Sequence, residues 1–129
     1  CRELFPDVDF IYNGDITDYS SFRKLEELLF VQNKWMIGRG MLSNPLLACQ
    51  IKGIKNEMGK EQLLRKFTFK LIEEIQSDSK DKGHALNRLK VQFQYLSNAF
   101  PQPVRINRVI KKIKSVSEME EFLDKEFGY

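Results

Sequence analysis

The sequence predicts an α/β section followed by an all-α helical bundle, with helix dominant overall. Three observations carry that expectation. Two short apolar runs, Val8–Tyr12 and Trp35–Ile37, each stop at glycine, in "NGD" and in "GRG". An amphipathic stretch lies between them, which makes a strand–helix–strand unit and calls for parallel pairing. Beyond Gly53 every apolar pattern steps by three and four, the helical period.

The elements follow in chain order. Residues 8–12 read as the first strand, ending in Asn13-Gly14-Asp15. Thr17 or Asp18 caps a helix whose apolar stripe is Phe22, Leu25, Leu28 and Leu29. The second strand, 35–37, runs into Gly38-Arg39-Gly40. Ser43 or Asn44 caps the next helix, with Pro45 where a missing N–H costs nothing; Leu46, Leu47 and Ile51 face inward and Gly53 ends it. The polar stretch "GIKNEMGKEQ" places a hinge at 54–59, between a 1–53 section and a four-helix section at 60–129. Leu63, Phe67, Leu71 and Ile75, beside Leu64 and Ile72, mark the first of these helices. Leu86, Leu89, Phe93, Leu96 and Phe100 mark the second, and Ile106, Val109, Ile110 and Ile113 the third. Ser117-Glu118-Met119-Glu120 fits a capping box before the fourth, whose stripe is Met119, Phe122, Leu123 and Phe127. Short connections between amphipathic helices imply an antiparallel bundle.

Composition narrows the function classes. No run approaches the length of a membrane span, and no secretory signal pattern opens the chain. Its first residue is Cys1 rather than Met, as expected of a cut, processed or partial chain. The two cysteines, Cys1 and Cys49, make neither a disulfide framework nor a metal knot, so a reducing, cytoplasmic setting is expected. The net charge of +3 is uneven. Residues 1–58 carry seven basic and eight acidic side chains, whereas residues 80–114 carry nine basic against one acidic, a local net of +8. That asymmetry points to a polyanion partner for the second half, or else to a solvated helical face.

Two parallel strands bury too little to stand alone, and a parallel sheet needs cover on both faces. Two βα units ending in paired glycine turns match the last quarter of a (β/α)8 barrel, where the loops after strands seven and eight commonly hold a phosphate. Read this way, Gly14, Gly38 and Gly40 let main-chain N–H groups approach an anion, and Arg39 adds a charge-assisted bond. Asp15, an anion itself, is expected to accept backbone N–H bonds and shape its turn. An ordinary turn and a surface arginine are the plain alternatives.

"NGDI" followed by "MIGRGMLSNPLL" resembles the tRNA-dihydrouridine synthase family, flavoenzymes that reduce uridine in tRNA. The resemblance covers roughly 8–51 by motif, and 60–129 by length, order and helical character. It implies the end of an FMN-binding TIM barrel followed by a helical domain that helps hold tRNA. It implies an FMN phosphate site at Asn13, Gly14, Asp15, Gly38, Arg39 and Gly40, with NAD(P)H as the reductant of the whole enzyme. The family's catalytic cysteine lies in an Asn-x-x-Cys-Pro stretch that this chain lacks, so no catalytic residue, and no metal ligand, is expected here. The chain alone is expected to be inactive and to hold FMN weakly. "VQNKW" replaces the family's small residues before the second strand, and Trp35 is expected to pack outward against a helix.

The basic residues Arg88, Lys90, Arg105, Arg108, Lys111 and Lys112 are the candidate tRNA contacts. The strand edges in 1–53 are expected to drive self-association of the isolated chain, and no membrane partner is expected. The alternatives are another FMN-dependent barrel oxidoreductase acting on a small molecule, and a non-enzymatic helical interaction module.

Overall fold

A computed structural model describes residues 3–128. Cys1 lies outside the described residues. Strands β1 (Tyr12–Asn13) and β2 (Trp35–Met36) pair in parallel, Tyr12 opposite Trp35 and Asn13 opposite Met36. Both are shorter than the runs 8–12 and 35–37. The flanking backbone is held in part by a side chain: the Gln32 amide donates to the carbonyls of Phe10 and Lys34, and Tyr12 N–H donates to the Lys34 carbonyl.

Helix α1 (Tyr19–Leu28) bridges the strands. Asp18, not Thr17, is its cap: its carboxylate accepts from Ser21 N–H at 2.7 Å, and Ser21 Oγ accepts in turn from the Asp18 N–H. Phe22 is buried, Leu25 and Leu29 are half-buried, and Leu28 is 74% exposed, so Leu28 leaves the expected stripe. A small core forms from Ile16, Phe22 and Leu47, with Tyr12, Leu25, Trp35, Ile37, Met41 and Ile51 packed around it. Trp35 meets Tyr12 and Phe22 edge-on, with ring centroids 5.4 and 5.2 Å away, which places it between strand and helix.

The expected single helix after β2 is two. Helix α2 (Arg39–Ser43) starts within the glycine turn itself, and α3 (Leu47–Lys52) follows. The break has a local cause. Asn44 precedes Pro45, which excludes the helical region at Asn44; its φ is −145° and ψ 90°. The Asn44 side chain then accepts from Leu46 N–H, an Asx turn that restarts the chain, so neither Ser43 nor Asn44 is the helix cap. Gly53 ends α3 in the left-handed region, φ 64°.

Four helices make the second core: α4 (Lys60–Asp78), α5 (Lys82–Leu96), α6 (Pro103–Lys112) and α7 (Val116–Glu126), with a 3-10 turn at Ser97–Ala99. In α4 the fully buried line is Leu64, Thr68, Ile72 and Ile75, while Leu63, Phe67 and Leu71 are half-buried. The core stripe is therefore rotated by one residue from the expected one. Phe93, Leu89, Leu96, Ile106, Ile110, Met119 and Leu123 form the fully buried centre. Ser115 caps α7, accepting from Glu118 N–H at 3.1 Å, and Glu118 reaches back to Lys114 N–H. The capping pattern thus sits two residues earlier than Ser117.

The two cores meet through α2, which lies against α5 and the 3-10 turn. Ser43 Oγ donates to the Tyr95 carbonyl at 3.3 Å, and the Asn98 amide reaches Ser43 Oγ at 3.5 Å. Among the described residues, no helix is long and apolar enough to cross a membrane, and no group of three or more His, Cys, Asp or Glu is placed to hold a metal.

Candidate functional site

Two strands that end side by side must deliver their following turns to the same place. The "NGD" turn leaves β1 and the "GRG" turn leaves β2, and parallel pairing puts both at one end of the sheet. All six residues Asn13, Gly14, Asp15, Gly38, Arg39 and Gly40 line one open depression of about 690 Å³. Ile16, Thr17, Ser43, Tyr95 and Asn98 complete its wall, the last two from the helical bundle.

The glycines differ in what they make possible. A Cβ on Gly40 would lie 2.0 Å from the Ile16 carbonyl oxygen, an impossible approach. Gly40 is therefore the point where the second turn packs on the backbone of the first. A Cβ on Gly14 would strike the Tyr12 ring and hydroxyl at 2.5 Å, so Gly14 makes room for a side chain of its own strand. A Cβ on Gly38 meets nothing within 4 Å, which leaves its backbone open to the depression.

Arg39 and Asp15 join the turns directly, Nη2 to Oδ1 at 2.6 Å. Asp15 thus takes an arginine side chain rather than the backbone N–H bonds expected of it. The Arg39 guanidinium also lies over the Tyr95 ring, 5.9 Å from Cζ to the centroid. The Tyr95 hydroxyl, first, and then the Asp15 carboxylate raise the Arg39 pKa, so the cation is fixed at any physiological pH. Both charged side chains remain well exposed, 62% and 79%, so the pair orients groups more than it stabilises the fold. The donor set suits a phosphate: a guanidinium and the amides of Asn13 and Asn98, with the one carboxylate in the lining already engaged by that guanidinium.

The six basic candidates differ in what they touch. Arg88 pairs with Asp78 at 2.8 Å and donates to Ser79. Lys90 reaches from α5 to the Lys111 carbonyl at 3.0 Å and so closes the end of α6. Arg105 makes a two-pronged pair with Glu126, 2.7 and 2.6 Å, and its guanidinium lies near the Phe122 ring. Glu126 raises the Arg105 pKa, and Arg105 lowers that of Glu126. Arg108, Lys111 and Lys112 instead line a separate surface depression of about 370 Å³ with Val104 and Asn107.

Tyr95, Asn98 and Ser43 had no signal as site residues in the sequence. Tyr95 and Asn98 fall outside the α5 stripe, and only the docking of α2 on α5 brings them to the glycine turns.

Against known proteins, the family model described as dihydrouridine synthase (Dus) matches residues 1–128. A tRNA-dihydrouridine(16) synthase of Cupriavidus necator is 28% identical over 125 residues, which is 92% of this chain and 37% of that protein. The chain thus spans little more than a third of the length of the curated relative it matches. No solved structure matches it.

Proposed function

Because the chain belongs to the dihydrouridine synthase family, we propose that it is the C-terminal part of a tRNA-dihydrouridine synthase, an FMN-dependent oxidoreductase acting on tRNA. In this reading residues 1–53 are the last two βα units of an FMN-binding TIM barrel, and 60–129 are the helical tRNA-contacting domain. The observation that carries it is the gathering of both glycine turns and Arg39 around one depression at the ends of two parallel strands. That is where a barrel of this kind holds phosphate.

Bound there, FMN would supply the hydride that reduces the uracil ring, NAD(P)H having first reduced the flavin. The chain's own residues do the holding. Arg39 carries the counter-charge, Asp15 keeps Arg39 aligned between the turns, and Gly38 leaves the main chain open to the phosphate. The side-chain amides of Asn13 and Asn98 offer neutral hydrogen bonds. Arg108, Lys111 and Lys112 would contact tRNA phosphates without reading bases.

The test is made on the full-length protein. Purified with its flavin and given NADPH or NADH, it should convert uridine to dihydrouridine in tRNA lacking the modification, read by mass spectrometry. A flavin-bound protein that leaves such tRNA unchanged would point to a reductase of small molecules. A protein with no affinity for flavin would point to a helical interaction module.

A further inference from the structure

A long, exposed arginine loses rotamer freedom when it closes on an anion, so restraint imposed beforehand strengthens binding. Arg39 is the cation among the residues lining the depression, and it is restrained at two points. Asp15 holds Nη2 from the first turn. Tyr95 offers its ring face from α5. The backbone that carries Tyr95 is itself fixed, because its carbonyl accepts from Ser43 and its neighbour Leu96 is fully buried in the helical core. Asp15 alone would draw the guanidinium toward a carboxylate, which competes with an incoming phosphate. The Tyr95 ring face and hydroxyl hold the cation without adding a second negative charge to compete with the phosphate.

We propose that Tyr95 is a positioning residue for the anion site: it holds the Arg39 guanidinium over the depression, so that the helical bundle takes part in phosphate binding by the glycine turns. This rests on the reading that the depression receives the phosphate of FMN.

The experiment titrates FMN and riboflavin, which lacks the phosphate, into the full-length apoprotein. Arg39→Ala should weaken FMN about tenfold to a hundredfold and leave riboflavin unchanged. Tyr95→Met should weaken FMN about three- to tenfold, again without touching riboflavin, while Tyr95→Phe, which keeps the ring and loses the hydroxyl, should fall between Tyr95→Met and the unaltered protein. In the Arg39→Ala background Tyr95→Met should have no further effect. Should Tyr95→Met fail to fold by circular dichroism, Tyr95→Leu takes its place in the same comparison. Equal losses for FMN and riboflavin, or full additivity with Arg39→Ala, would overturn the proposal and leave Tyr95 a packing residue. If Arg39→Ala does not separate FMN from riboflavin, the phosphate reading itself falls.

Discussion

At the scale of single residues, Gly40 and Gly38 illustrate what a motif conceals. Both glycines were legible in the sequence as parts of one turn, yet their surroundings are opposite. The Ile16 carbonyl stands where a Gly40 Cβ would be, and Gly38 faces open space. Gly40→Ala should therefore destabilise the chain by about 1–3 kcal/mol through forced backbone separation. Gly38→Ala should cost under about 0.5 kcal/mol, as surface changes usually do. Denaturant unfolding of the two variants side by side checks this, and equal losses would contradict it. Glu126 offers a second measurement. Its pKa in the folded state is lowered by Arg105. A depressed carboxylate contributes stability above its unfolded pKa, and that contribution is lost as pH falls through the folded value. Glu126→Gln should accordingly flatten the acid limb of a plot of Tm against pH and leave the slope near neutrality unchanged. Nothing in the sequence foretold this pair, because Arg105 and Glu126 lie on different helices.

At the scale of elements, the helices were legible where apolar spacing was regular and ambiguous where polar residues intruded. In α4, buried Thr68 sits in the core line, so a purely apolar reading drifts to Leu63, Phe67 and Leu71. In α7 two serines compete for the cap, and Ser115 holds it because Glu118 can then bond Lys114 N–H. In α6 the sequence shows the charges but not their partners. Arg105 is occupied by Glu126, whereas Arg108, Lys111 and Lys112 line one depression. If the proposed tRNA contact holds, each alanine substitution at Arg108, Lys111 or Lys112 in the full-length protein should lower the salt slope of tRNA binding by about 0.7–0.9. Arg105→Ala should leave the slope nearly unchanged and lower thermal stability instead. Filter binding across a salt series separates the two classes, and a full slope change at Arg105 would merge them.

At the scale of the whole molecule, parallel pairing was readable from spacing, and the division into two apolar clusters from the change of period near Gly53. The seating of α2 on α5 was not, because it depends on surfaces remote in sequence. The front section leaves much apolar surface in water: Leu4, Phe5, Val8, Ile11, Phe30, Val31 and Met36 are each more than half exposed. Among the described residues, no third strand pairs with its two-stranded sheet. The isolated chain should therefore self-associate through residues 1–53, seen as concentration-dependent mass in sedimentation equilibrium. Adding Lys or Glu at Phe30 and Val31 should reduce the association. A monomer at high micromolar concentration would count against it.

Helix α2 spans five residues, fewer than a free helix needs to persist in water. Its neighbours come from both clusters, Met41 inward toward the strands and Ser43 toward α5. Opening of either part strips half of that support. The amides of α2 are thus protected from solvent hydrogen only while both parts are closed at once, and their exchange is governed by whichever part opens more readily. Five residues between two cores serve, in effect, as a gauge of how often they come apart.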